Sequence, residues 1–303
     1  MKVNDLEIIR GNTKYKVSDN EITDTALEVV SFNVDGIQRE TQFNSIDRLA
    51  GRFKTGYNEM YRSARAVIRY NVKSLSNAVY LKNKVARLFD GEFYVRELKA
   101  TQTKIPFQKF GDPIHEFDVS YISGKQLKLS MINEISYDTN LTFGDFELEF
   151  ETIDIPYYES IGTSIDLQDN NQNNLWSTDM NIDLTDTKSR KCTFENVSNG
   201  HIFYFGDTTH NQFNMECEIT MVLGSNTKAL TWHTSNSKQI RIEDVSMKEG
   251  DVIKYDGIQV FLNNIPINEK WNLERPVFNF GYNEFVFSQT LKKIEFKLKY
   301  YYE

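Results

Sequence analysis

Apolar and polar residues alternate along much of this chain. Over residues 64–72, Ala66, Ile68, Tyr70 and Val72 share one side, while Arg65, Val67, Arg69 and Asn71 share the other. A period of two, written in β-branched and aromatic residues, marks a strand with one dry face. Residues 145–153 repeat the pattern, with Phe146, Leu148 and Phe150 set against Glu147, Glu149 and Glu151. So do residues 292–303, where Ile294, Phe296, Leu298 and Tyr300 point inward and Lys293, Glu295, Lys297 and Lys299 outward. Strands are also expected at 27–34, 93–95, 117–122 and 126–132. Phe213, Met215, Cys217, Ile219, Met221 and Leu223 alternate with mostly polar neighbours. Two apolar runs flank Asp256-Gly257 and predict a hairpin closed by a two-residue type I′ turn. Asp35-Gly36 predicts a turn after the first long strand. The polar stretch 38–58, which holds Gly51 and Gly56, reads as a long loop or a hairpin arm.

One segment changes period. Leu75, Ala78, Leu81, Val85 and Leu88 recur every three or four residues, the stripe of an amphipathic helix. Ser74 suits the N-cap, Arg87 the last turn and Gly91 the left-handed stop. Asp154-Ile155-Pro156 then ends a strand, because proline cannot donate to a sheet ladder. The domain boundary is placed there, giving 1–155 and 156–303. Residues 164–190 are dense in Asn, Asp, Gln, Ser and Thr and read as loops and short edge strands. The expected fold is mainly β with one α-helix. A sheet or split β-barrel with the packed helix comes first, and a β-sandwich of short strands and frequent turns follows.

Length and composition agree with this picture. A chain of 303 residues suits two domains with real cores. Aromatic residues reach 13%, with 21 Phe and 16 Tyr, which favours pleated surfaces and interfaces. The formal charge of -8 argues against sequence-independent binding to nucleic acid. No run has the length of a membrane span, and no apolar h-region follows the opening Met-Lys-Val-Asn-Asp. Synthesis in a cytoplasm is therefore expected, with Cys192 and Cys217 reduced and Cys217 a small core residue.

Candidate chemistry is sparse. His115, His201, His210 and His233 sit in no HExxH, CxxC or H-x-H arrangement and read as turn or surface residues. A zinc set drawn from His201, His210, Cys192 and Cys217 has no recognised spacing. Asp179, Asp183 and Asp186 lack the Asx-Gly pattern of a calcium loop. Glu147, Glu149 and Glu151 face outward along one strand rather than into a cleft. No Walker, GxGxxG, GxSxG or kinase motif occurs. No catalytic residue, metal or cofactor is expected. Trp176, Trp232 and Trp271 all lie in the second half. Trp232 and Trp271 are the candidates for stacking on a sugar ring, although a core or edge position is commoner for tryptophan. Arg62, Arg65 and Arg69 lie on a strand with an apolar side; they form either a solvated face or a charged seam toward another subunit.

The order of elements resembles a known family. Ile46-Asp47-Arg48 and Gly51 precede the strand Arg65-Ala66-Val67-Ile68-Arg69-Tyr70, then the helix, Gly91 and Phe93-Tyr94-Val95. The acidic strand runs into Pro156-Tyr157-Tyr158-Glu159-Ser160-Ile161-Gly162-Thr163, with Leu175-Trp176 downstream and Phe280-Gly281-Tyr282-Asn283-Glu284-Phe285 before the last strand. Together these are similar to the distal tail protein (Dit) family of long-tailed phages of Gram-positive hosts, especially staphylococcal ones. The charged, Asn-rich opening from Asn4 to Asn20 departs from that pattern. The resemblance implies a homohexameric ring at the virion tail tip, between the tail tube protein and the baseplate. It implies a ring-forming first domain that lines the channel for DNA in transit. It also implies a galectin-like or carbohydrate-module-like second domain that holds tail-fibre hub and receptor-binding baseplate proteins. Family members are not enzymes. A ring needs a seam, and Arg65 and Arg69 on one strand with Glu147, Glu149 and Glu151 on another are expected to supply complementary faces. The alternative is a carbohydrate-binding module that attaches a virion to host wall glycan through Trp232 and Trp271. A wall hydrolase would need two inward carboxylates in one cleft, which these alternations do not supply.

Overall fold

The computed structural model describes residues 4–48, 50–100, 119–169 and 175–303. The chain divides into two compact units, Met1–Tyr158 and Glu159–Glu303.

The first unit is a sheet covered by one helix. Its strands are β1 (Asn4–Arg10), β2 (Thr13–Lys16), β3 (Leu27–Asn44), β4 (Phe53–Asn71), β5 (Glu92–Ala100), β6 (Val119–Tyr121), β7 (Lys125–Met131) and β8 (Phe143–Thr152). They run in the order β2-β1-β5-β7-β8-β4-β3, with β6 paired to β5, and every pairing is antiparallel. The Asn-rich opening is thus the β1–β2 hairpin. Between β4 and β5 lies α1 (Leu75–Leu88). Ser74 caps it by accepting from the Asn77 N–H, and Arg10 donates to the carbonyls of Arg87 and Leu88 at its other end. Leu81, Val85 and Leu88 share one buried cluster with Phe93, Leu148 and Phe150, and Ala78 is buried too, but Leu75 is 51% exposed and lies outside the stripe. The expected strand at 117–122 is seen as β6; residues 117 and 118 lie outside the described residues, as does His115.

The second unit contains β9 (Tyr158–Ser160), α2 (Ser164–Asp169), β10 (Thr193–Tyr204), β11 (Cys217–Leu223), β12 (Leu230–Thr234), β13 (Ile240–Ile242), β14 (Val252–Tyr255), β15 (Val260–Leu262), β16 (Ile265–Pro266), β17 (Gly281–Leu298) and β18 (Tyr301–Tyr302). It is a β-sandwich organised around β17. That long strand pairs with β10 on one side; on the other it meets β12 through Phe285 to Phe287 and β11 through Leu291 to Leu298. Its Phe285 and Phe296 are tilted against each other; Phe194 meets both edge to face, and Phe278 meets Phe296 in the same way.

Several expectations are revised. Asp35-Gly36 makes no turn, because β3 continues through both residues with a bulge between Val34 and Ile37. Asp256-Gly257 does sit in a hairpin, but its loop has four residues: Tyr255 pairs with Val260, and the Asp256 side chain accepts from the N–H groups of Ile258 and Gln259. Phe213 is exposed, so the alternating buried face begins at Met215, two residues before β11 itself starts at Cys217. The region 164–190 includes the short helix α2 as well as loops. The strand expected over 292–303 is broken: β17 ends at Leu298 and the short β18 follows at Tyr301–Tyr302. Lys299 does not point to solvent; it is buried and donates to the carbonyls of Ser160 and Ile161, each at 2.7 Å.

Candidate assembly surfaces

The most unusual feature of the first unit is the β3–β4 hairpin. Its two strands pair from Leu27 opposite Tyr70 to Asn44 opposite Phe53. Near the base Leu27, Val29, Ala64, Ala66, Ile68 and Tyr70 belong to the core. Beyond Val34 and Arg62 no described side chain of the hairpin is buried. From Asp35 to Asn44 that free section runs about 30 Å at roughly 3.3 Å per residue. It carries Phe43, Ile46, Phe53, Tyr57, Met60 and Tyr61, each 37–55% exposed. Cations rest on its rings: Arg52 lies 4.0 Å from the Phe43 centroid, and Arg39 and Lys54 lie 5.3 and 4.7 Å from that of Tyr57. A two-stranded ribbon without a core is marginal by itself, and grouped exposed aromatics mark an interaction surface.

The arm is clamped at its root. Arg62 is 8% exposed. Its N–H donates to Thr152 Oγ1 at 2.9 Å, its Nε to the Pro156 carbonyl at 3.1 Å and its Nη1 to the Asp35 carbonyl at 3.3 Å. Its guanidinium lies 5.1 Å from the centroid of the Tyr158 ring. Next to it the Tyr157 hydroxyl donates to Glu59, which also pairs with Arg39 at 2.8 Å. Arg62 is therefore part of no outward basic face. It shares parity with Ala64 and Ala66, and that parity is the signal in the sequence that separates it from Arg65 and Arg69.

Arg65 and Arg69 do face solvent, opposite the acidic strand. In the β4–β8 register Arg65 lies opposite Glu149, Arg69 opposite Asp145 and Ser63 opposite Glu151. Arg65 pairs with Glu147 at 2.5 Å and Glu149 at 3.3 Å; Arg69 takes Asp145 bidentately at 2.9 and 3.2 Å. The two strands whose charges complement each other are thus neighbours in one sheet. They form an exposed ladder of ion pairs, each weak because solvent screens it. The outer face of α1 adds Leu75, Val79 and Tyr80, all more than half exposed. Beside it an open cleft of about 510 Å³ is bordered by Asp24, Ala26, Asn77, Tyr80 and Lys84.

The candidate sites of the second unit fare differently. Trp232 is 1% exposed and stacks on Phe287, with centroids 5.4 Å apart and planes at 15°. Trp271 is 7% exposed and donates its Nε1–H to the Glu274 carbonyl. Trp176 is buried too. None of these rings offers a face to a sugar; each is packed inside. His201 and His233 are exposed, but His210 is buried, which overturns a surface reading for it. Both cysteines are buried free thiols, and burial pushes Cys192 up to about 12. Asp183 accepts from the Thr185 N–H and hydroxyl, and Asp186 from the Lys188 N–H. Among the described residues no three of His, Cys, Asp and Glu converge on one point.

No protein-family model and no curated protein matches the sequence. Solved structures do match. The Dit protein of phage SPP1, described as a paradigm of the hub adsorption apparatus in phages infecting Gram-positive bacteria, is similar to 97% of this chain over 99% of its own, with a TM-score of 0.57 at 8% identity. Chains in the activated baseplate of phage p2, with strontium or calcium, are similar over 98% of both chains, with a TM-score of 0.45 and 9 or 10% identity. Across almost its entire length, the chain has the fold of the SPP1 Dit protein, a fold its sequence resembles.

Proposed function

We propose that this protein is a structural component of a phage tail tip: a ring-forming hub that joins the tail tube to the baseplate and encloses the path of the DNA. The observation that carries the proposal is the clamped arm. A ribbon about 30 Å long, with exposed aromatics and no core, gains its stability by lying on something else. In a homo-oligomer with closed symmetry that surface belongs to the next copy. The first unit (1–155 in the sequence reading) supplies the ring, and its outward ladder of Arg65, Arg69, Glu147, Glu149 and Glu151 takes part in the seam. The second unit holds neighbouring tail and baseplate proteins. The fold shared with the SPP1 hub supports this reading, and so does the acidic balance, because a conduit must not grip a polyanion. The role requires no catalysis.

Native mass measurement of the purified chain tests it. The expected product is a six-copy species. Replacing residues 43–55 with a short Gly-Ser turn is expected to leave a folded monomer, because no described residue in that segment is buried. Hexamers that persist without the arm tip would remove the arm from the seam.

A further inference from the structure

The second unit contains a cleft bordered by two cations and two hydroxyls. It has a volume of about 320 Å³ and is lined by Gln168, Thr187, Arg190, Lys191 and Thr193. That volume is at the lower end of small-molecule sites, roughly 300–1,000 Å³. Arg190 is 8% exposed. Its Nη1 reaches the Leu167 carbonyl at 3.4 Å, a long hydrogen bond, and its Nε is buried with no partner. Among the described residues neither Arg190 nor Lys191 has an ion-pair partner within 4 Å. The acid that senses Arg190 is Asp183, and its carboxylate is engaged by Thr185 at 2.8 and 2.6 Å.

The wall around this guanidinium is rigid. Gln168 accepts from the N–H groups of Cys192 and Thr193 at 2.8 and 2.9 Å and donates to Thr193 Oγ1 at 3.3 Å, which fixes the segment leading into β10. The Lys191 ammonium lies 5.0 Å from the Phe194 ring centroid, beside the same cleft. A buried guanidinium with no direct ion pair is unfavourable, and an anion in the cleft would relieve it. The cleft is lined by donors of different kinds: the guanidinium of Arg190, the point charge of Lys191 and the hydroxyls of Thr187 and Thr193. A tetrahedral oxyanion has an oxygen to offer each of these donors, whereas a carboxylate has two.

We propose that this cleft binds a phosphate-class oxyanion, either a monoester or a diester. The site is independent of the ring. Titrating the full chain with inorganic phosphate at fixed ionic strength, followed by 31P NMR and calorimetry, is expected to give saturable binding. Sodium acetate and an Asp-rich peptide are expected to give none. Lys191→Gln, at an exposed position, is expected to weaken phosphate binding at least fivefold while circular dichroism stays unchanged; Arg190→Lys is expected to weaken it more. Dimethyl phosphate separates the sources. Binding of the diester points to a phosphodiester polymer and binding of phosphate alone to a free or terminal phosphate; both support the class. Absence of saturation in the wild type, equal affinity in Lys191→Gln, or acetate or the peptide competing as well as phosphate would overturn it.

Discussion

His210 joins two strand ends of the second unit while staying uncharged. Its N–H and carbonyl pair with Phe278 at 2.9 and 3.1 Å, and its Nε2–H donates to the Glu216 carbonyl at 3.1 Å. Tyr204, Phe278 and Tyr301 surround the ring, with centroids 5.6–5.9 Å away. Burial pushes its pKa down to about 4. The unfolded chain, with an ordinary value near 6.5, therefore takes up the proton first. The stabilisation is fully present above about pH 6.5 and is lost as pH falls toward 4, by up to about 1.4 kcal/mol per pH unit. Between pH 7 and pH 5 urea unfolding of the second unit should lose about 2 kcal/mol more in the wild type than in His210→Gln. The glutamine variant will be less stable at pH 7, having lost ring packing, but its acid dependence should be shallower. Parallel curves for the two proteins would show that His210 does not titrate on unfolding.

At the scale of elements, the arm depends on its root. Arg62 links the base of β4 to Thr152, Pro156 and Asp35 through three hydrogen bonds. Only two of these come from the side chain, so Arg62→Ala frees the Pro156 and Asp35 carbonyls and leaves the backbone bond to Thr152. The expected loss is about 1–3 kcal/mol, concentrated where no core compensates. Amides of residues 35–42 and 56–61 should exchange at least tenfold faster, while those of Phe146 to Phe150 keep their protection. Uniform acceleration across the sheet would assign Arg62 to the core instead of the arm. The same elements explain how legible the fold was. The inner half of β4, strand β8, the end of β17 from Lys292 and helix α1 showed plainly because each buries one periodic face. The length of the arm did not, since a ribbon exposed on both sides has no dry face to set a period. Asp35-Gly36 misled because a bulge inside a long strand uses the same residues as a turn. The Arg–Glu ladder was hidden for another reason. Its partners are about 80 positions apart in the chain, and alternation shows which way a side chain points, not what stands beside it.

For the whole molecule, the question is whether the charged ladder serves the protomer, the ring or both. Arg65→Glu with Arg69→Glu places like charges beside Glu147, Glu149 and Asp145. All of these groups are at least 43% exposed, so water and salt screen the repulsion and the protomer should lose little stability. It should stay folded by circular dichroism. The ring is expected to weaken more, because each copy repeats the change at every seam. Adding Asp145→Lys and Glu147→Lys rebuilds a ladder within the chain with its signs exchanged. Protomer stability should then recover, but native mass measurement should still find few six-copy species, since a neighbour that fitted the original pattern now meets its inverse. Two outcomes would remove the ladder from the seam. If the double variant assembles like the wild type, the face touches no other copy. If the quadruple variant regains the ring in full, the ladder acts only by keeping β4 and β8 in register, and the seam rests on the aromatics of the arm.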